Sequence, residues 1–146
     1  MRKHFRSVAA LAVGVSGAAL GPLAIGAGAA APPTFSAKLT GAAEVPPVKS
    51  STTGTVRVTL DPKIGKACWT FTMKKLTGAL TANILRGAPG KVGPAVIRLG
   101  GRYTPKGCTG APKSAVSAVV AKPGAYYVNI QTTSHLNGGV RGQLKK

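Results

Sequence analysis

Few residues in this chain can do chemistry. Among 146 residues the only carboxylates are Glu44 and Asp61, the only thiols Cys68 and Cys108, and the only imidazoles His4 and His135. Two acids are the minimum for a glycosidase-type acid and base. Here Asp61 opens D-P-K-I-G-K, where Asp and Pro have an ordinary turn role. Glu44 stands beside Pro46 and Pro47 in a loop. A Ser-His-Asp set can be written from Ser134 or Ser117, His135 and Asp61. Triads are defined by geometry, however, and nothing in the spacing joins these residues. His135 lies in T-T-S-H-L-N-G-G beside turn chemistry and reads as a surface residue, since a lone imidazole neither holds a metal nor carries out catalysis. The catalytic set is therefore expected to be empty.

The stretch T-A-N-I-L-R-G-A-P-G-K-V-G-P, residues 81–94, asks a sharper question. Asn83 and Leu85 lie two apart, so on a strand they share a face. The loop after them has Lys91 among glycines but lacks G-x-x-x-x-G-K-[ST] and leads into a strand, which argues against a phosphate cradle. Cys68 and Cys108 are an even pair without a C-x-x-C spacing, and in an oxidising compartment a disulfide is the simplest reading. It would close a loop of about 40 residues, worth roughly 4 kcal/mol by chain entropy.

The compartment is read from the first 31 residues. Arg2, Lys3 and Arg6 precede an uncharged run from Ser7 to Ala31, and small residues at Ala27, Ala29 and Ala31 suit A-x-A cleavage. Pro22 and the Gly/Ala content argue against a membrane anchor. The expected organisation is a signal peptide over 1–31 and one β domain over 32–146, secreted or held at the cell envelope. No later apolar run reaches membrane length.

The chain has 20 Lys+Arg against 2 Asp+Glu, a formal net charge of +18. Without Arg2, Lys3 and Arg6, 17 basic residues and two acids remain, a charge of +15. Such a charge draws polyanions without a specific site. Acidic cell-envelope polymers, anionic lipid surfaces, polyphosphate and stray nucleic acid are the partners it fits. Specific nucleic-acid recognition is not expected, because most aromatics fall in alternating strands and not among basic residues. Tyr103, beside Arg102 in a loop, is read as packing.

Strands must position all of these groups. T-F-S-A-K-L-T alternates Phe35, Ala37 and Leu39 with polar residues, and T-V-R-V-T-L alternates Val56, Val58 and Leu60. A-C-W-T-F-T-M puts Trp69, Phe71 and Met73 on one face and Cys68, Thr70 and Thr72 on the other. A-V-I-R-L, Y-Y-V-N-I-Q-T and V-R-G-Q-L are further β runs, separated by D-P-K-I-G-K, G-A-P-G-K-V-G-P and N-G-G turns. This spacing predicts an antiparallel sandwich or barrel. A short helix is expected at 114–122, stopped by Pro123-Gly124. Residues 41–54 and 100–113 read as long loops, the second tethered by Cys108.

L-T-G-A-A-E-V-P-P-V, G-T-V-R-V-T-L-D-P-K-I-G-K-A-C-W-T-F-T-M, Y-Y-V-N-I-Q-T and G-G-V-R-G-Q-L occur in an order that resembles the CHRD (chordin-type) domain family, in its secreted bacterial form, from about Phe35 to Leu144. The resemblance implies an all-β sandwich outside the cytoplasm, immunoglobulin-like or superoxide dismutase-like in layout, and no well-established enzymatic activity. Many members resemble A-H-I-H-x-G-A and Y-V-N-V-H-T where this chain has Asn83, Leu85 and Gln131 in place of histidines. A superoxide dismutase-like metal protein is the alternative reading, and it is disfavoured because Asn and Gln are poor copper or zinc ligands and Leu is none. No metal or other cofactor is expected. In the family E-V-P-P recurs with R-G-Q-L. That pairing, with the stiffness of Pro46-Pro47, predicts that Glu44 accepts hydrogen bonds from Arg141 or from backbone N–H groups of the facing loop. The leading expectation is a secreted, non-enzymatic binding or structural module that favours anionic partners.

Overall fold

The computed structural model describes residues 10–22, 26 and 28–146. Arg2, Lys3, Arg6 and Ala27 of the expected export signal lie outside the described residues. Met1–Ala30 and Ala31–Lys146 are separate units, and all regular structure described here belongs to the second. Among the described residues no helix is long and apolar enough to cross a membrane.

Eight strands, β1 (Thr34–Thr40), β2 (Thr53–Asp61), β3 (Lys66–Lys74), β4 (Ala79–Arg86), β5 (Ala95–Arg98), β6 (Lys106–Gly110), β7 (Tyr126–Thr132) and β8 (His135–Gln143), form one sheet. Its order is β5-β4-β7-β8-β1-β2-β3-β6, every pair is antiparallel, and it rolls into a nearly closed, barrel-like sandwich. The antiparallel all-β architecture is the one the alternation predicts. Its two layers are halves of one continuous sheet, joined at a narrow seam between β8 and β1. There Thr40 pairs with Arg141, and Ser36 and Lys145 exchange backbone hydrogen bonds of 2.7 and 2.9 Å.

The alternating residues meet inside. Phe35 faces Val58, which faces Trp69; Ala37 faces Val56, which faces Phe71. Ile84, Val128, Ile130 and Val140 close the core from the other half, and all are buried. Each large side chain removed from water contributes about 1.5–3 kcal/mol. Helix α1 (Lys113–Ala121) supplies Val116 and Val119, three apart and both fully buried, to the same core. It begins one residue before the expected helix and ends one before its end. Trp69 donates its indole N–H to the Thr104 carbonyl at 3.0 Å, and Tyr103 packs on Phe71 with ring centroids 5.3 Å apart, so Tyr103 does pack as expected.

Two segments read as loop or turn are strands. Residues 106–110, inside the expected loop of 100–113, form β6 along β3, with Cys68 opposite Cys108 and Trp69 opposite Gly107. K-G-C-T-G has no hydrophobic alternation, so its pairing comes from tertiary neighbours. A Cβ at Gly107 would lie 2.7 Å from the Trp69 ring, which requires glycine there. Likewise N-G-G sits within β8, which starts at His135, and Gly138 takes φ +137°.

The disulfide between Cys68 and Cys108 is present, with Cα atoms 4.0 Å apart across the β3–β6 ladder. It holds the edge strand β6 that carries the second cysteine.

Candidate functional site

Residues 81, 83 and 85 of β4, 127, 129 and 131 of β7, and 141 and 143 of β8 all point to the outer face of one half of the sheet, by the strand period and the register. Asn83 stands opposite Asn129, and Asn129 opposite Arg141. On an uncovered sheet this face would be wet. Here the β4–β5 loop lies over it at Tyr127, Arg141 and Gln143, and β7 is buried on both sides from Tyr126 to Ile130. Its alternation gives no hint of this.

Arg141 is the centre of the arrangement and is only 2% exposed. Its guanidinium lies 3.5 Å from the centre of the Tyr127 ring, a cation–π geometry. It donates to the Lys91 carbonyl at 2.7 Å, the Ala88 carbonyl at 3.0 Å and Gln143 Oε1 at 2.9 Å. The Gln143 amide in turn donates to the carbonyls of Gly87 at 2.9 Å and Gly124 at 3.0 Å. Every residue of R-G-Q-L therefore has a physical reason. Arg141 and Gln143 alternate on one face and grip the β4–β5 loop by its carbonyls. Leu144 is core. Gly142 has no room for a side chain, because a Cβ would run into the Lys38 carbonyl of β1.

The same contacts dispose of a phosphate cradle at G-A-P-G-K-V-G-P. A cradle converges N–H groups on its ligand, whereas this loop turns the carbonyls of Ala88 and Lys91 onto the Arg141 guanidinium and that of Gly87 onto the Gln143 amide.

Glu44 ends the short 3-10 turn Gly41–Ala43 that follows β1, and its N–H donates to Gly41 O at 3.1 Å. The side chain folds against Gly138 of β8, where a Cβ would lie 2.7 Å from the carboxyl carbon. Gly138 is thus a glycine both for its φ and for the carboxyl group packed on it. Glu44 is 7% exposed, and its Oε1 is buried with no hydrogen-bond partner. The expected pairing with Arg141 does not form. Among the described residues no hydrogen bond or ion pair joins the two, because Arg141 spends its donors on the β4–β5 loop and Gln143. Arg141 reaches Glu44 only through its field. Burial raises the Glu44 carboxyl from 4.5 to about 7, and the Arg141 charge opposes that rise without overcoming it. Arg141 thus holds the β4–β5 loop, while the Glu44 carboxyl packs against Gly138 of β8.

Asn83, Leu85 and Gln131, the three positions that hold histidine in many family members, do fall on this one face. Thr81, next to Asn83 along the strand, donates its hydroxyl to Gln131 Oε1 at 2.5 Å, and Asn83 Nδ2 donates to Thr81 Oγ1 at 3.5 Å. Neutral hydrogen bonds occupy the cluster, and these side chains do not fit a copper or zinc ion. Among the described residues no group of three or more His, Cys, Asp or Glu side chains is placed to hold a metal. Asn129, which the sequence did not single out, is 2% exposed and donates to the Asn137 carbonyl at 3.2 Å, with its Oδ1 unpartnered. Tyr127 and Gln143 lie inside the motifs Y-Y-V-N-I-Q-T and R-G-Q-L, and their even spacing from Asn129 and Arg141 puts them on the same face.

The catalytic triad on paper does not assemble. Ser134 and His135 border a cavity with Thr52, just before β2 begins, while Asp61 ends β2. Those ends are about 26 Å apart at strand rise. Asp61 Oδ1 accepts from the Lys63 N–H at 2.9 Å, the turn role its sequence indicates. His135 is exposed, and its backbone N–H donates to Thr132 Oγ1 at 3.2 Å.

The family model for the CHRD domain matches residues 35–144, from β1 to the residue after β8. The chain belongs to the CHRD domain family. No curated protein and no solved structure matches it.

Proposed function

We propose that this chain is an exported, non-enzymatic CHRD domain that serves as a binding or structural module at the cell surface or in the medium and favours anionic partners. One observation carries the reading. Of the 17 basic residues beyond Ala31, only Arg141 is buried, whereas one of the two acids, Glu44, is buried. Folding therefore leaves 16 exposed cations against Asp61. The Cys68–Cys108 disulfide suits an oxidising compartment. The absence of catalysis is supported by the wide separation of Asp61 from His135 and by a family not known for enzymes.

The test has two arms. Expression of the full chain in a secreting host should yield a product whose amino terminus begins just after Ala29 or Ala31. The mature domain should bind a charged polymer such as dextran sulfate and ignore neutral dextran. Its affinity should fall steeply between about 50 and 200 mM salt, as counterion release requires. Retention of the leader would refute export, and equal binding to the neutral polymer would refute the charge-driven partner.

A further inference from the structure

The two halves of the sheet treat their outer faces differently. The β4–β5 loop lies over the face of β4, β7 and β8, while the outer face of β1, β2, β3 and β6 is open. Its side chains form a grid set by the register. Thr40, Thr53 and Lys74 make one row, and Lys38, Thr55 and Thr72 the next. Ser36, Arg57, Thr70 and Lys106 follow, with Lys145 bridged to Ser36. Neighbours within a row stand about 4.8 Å apart and rows about 6.8 Å apart. Lys38, Thr53, Thr55, Arg57, Thr72 and Lys74 are all exposed. They border a shallow groove of about 480 Å³ that also takes in Lys145. A second groove of about 330 Å³, reaching Lys106 and the disulfide, shares Arg57 with the first. The two make one track across four strands, with cations along it and hydroxyls between them.

We propose that this face is the docking surface for a flexible polyol phosphodiester polymer, such as the poly(glycerol phosphate) type of cell-envelope polymer. The proposal rests on the anionic-partner reading above and names the surface and the partner chemistry. Three features select the ligand. First, the cations are chiefly lysines, with Arg57 the one arginine. Lysine is a compact point charge with rotatable donors and a common phosphate binder, and unlike an arginine fork it imposes no fixed planar geometry on the anion, which suits successive phosphates of a flexible chain. Second, exposed threonine hydroxyls stand beside Lys38, Arg57, Lys74 and Lys106, so a phosphate can take a charged donor and a neutral donor together, which suits its several acceptor oxygens. Third, the outward positions of these rows carry no aromatic, Asn or Gln side chain. Bases would find neither a stacking platform nor an amide to read their edges. A backbone that carries phosphates and no bases gains everything this face offers.

The experiment compares four probes by titration with the mature domain: poly(glycerol phosphate), polygalacturonate, single-stranded oligo(dT) and phosphatidylglycerol vesicles. Poly(glycerol phosphate) should bind about tenfold or more tighter, per charge, than the other three. The variant K38Q/R57Q/K74Q/K145Q should lose about 100-fold in affinity at moderate salt, and its log–log salt slope should shrink by about 3, near 0.7–0.9 per lost contact. An equal charge change elsewhere, K49Q/R102Q/K113Q/K122Q, should lose less than about tenfold. Thr55→Val with Thr72→Val leaves the charge intact and keeps β-formers on the strands. That variant should narrow the preference for phosphate over carboxylate. Should the quadruple variant fail to fold, Lys38→Gln with Lys74→Gln against Lys113→Gln with Lys122→Gln makes the same comparison.

Equal losses in the two charge variants would overturn the surface assignment and leave the general anionic reading standing. Equal or tighter binding of polygalacturonate, oligo(dT) or vesicles would overturn the phosphodiester polymer. Failure of the unmodified domain to bind any probe would overturn both readings.

Discussion

Replacing Glu44 by glutamine should make the domain more stable at pH 8 and leave it nearly unchanged at pH 4.5. The carboxyl is buried with Oε1 unpartnered, and its folded pKa is raised from 4.5 to about 7. The sign follows from proton counting. Below the unfolded value both states hold the proton, and the buried group is neutral. Between 4.5 and about 7 the unfolded chain releases its proton while the folded chain keeps it, so stability falls as pH rises. Above about 7 both are ionised, and the folded state bears the full cost of a buried charge that Arg141 only partly offsets. At 1.36 kcal/mol per pH unit the loss is about 3 kcal/mol across the window. Glutamine keeps the shape and never ionises, so the variant should lack this slope. Urea unfolding at several pH values from 4.5 to 8, with the disulfide intact, measures it. Every other group is common to the two proteins, so its contribution cancels in the difference. Parallel stability–pH curves for wild type and Glu44→Gln would refute the reasoning, as would a variant less stable than wild type at pH 8.

Arg141→Ala should cost about 3–5 kcal/mol, because it strands the carbonyls of Ala88 and Lys91 under the loop. At pH 5, where Glu44 is protonated, Arg141→Ala and Glu44→Gln should add to within about 0.5 kcal/mol in a double-mutant cycle, since no direct contact couples them; strong coupling there would mean that the two pair in solution. Elemental analysis of the purified protein should find no stoichiometric copper or zinc, given Asn83, Leu85 and Gln131 at the family's histidine positions; about one tightly held ion per chain would show ligands of another kind. Non-reducing mass spectrometry should find no free thiol, and Cys68→Ser with Cys108→Ser should lower stability by about 2–4 kcal/mol.

What the sequence determined by itself lies where one face of a strand meets the core. Phe35, Ala37 and Leu39, or Val56, Val58 and Leu60, alternate because water lies on one side and hydrocarbon on the other, and a period of two is visible to anyone reading the chain. The strands β1 and β7, the helix within a residue of each end, the turn at Asp61 and the pairing of the only two cysteines were legible for such local reasons. The elements with no local pattern were not. K-G-C-T-G becomes β6 only because Trp69 and Cys68 wait beside it, and N-G-G continues β8 because Glu44 packs where a Cβ would be. The site itself belongs to tertiary structure. The sequence joins Glu44 to Arg141 as a pair, and the fold does not, because a guanidinium can satisfy its donors on any carbonyl that the fold brings near. The β4–β5 loop delivers two carbonyls to Arg141 from about 50 residues away, and no spacing in the chain encodes that meeting. The same folding covers one face of the sheet and leaves the other open. A uniform scatter of lysines in the sequence thereby becomes, on β1, β2, β3 and β6, an ordered array of charge and hydroxyl.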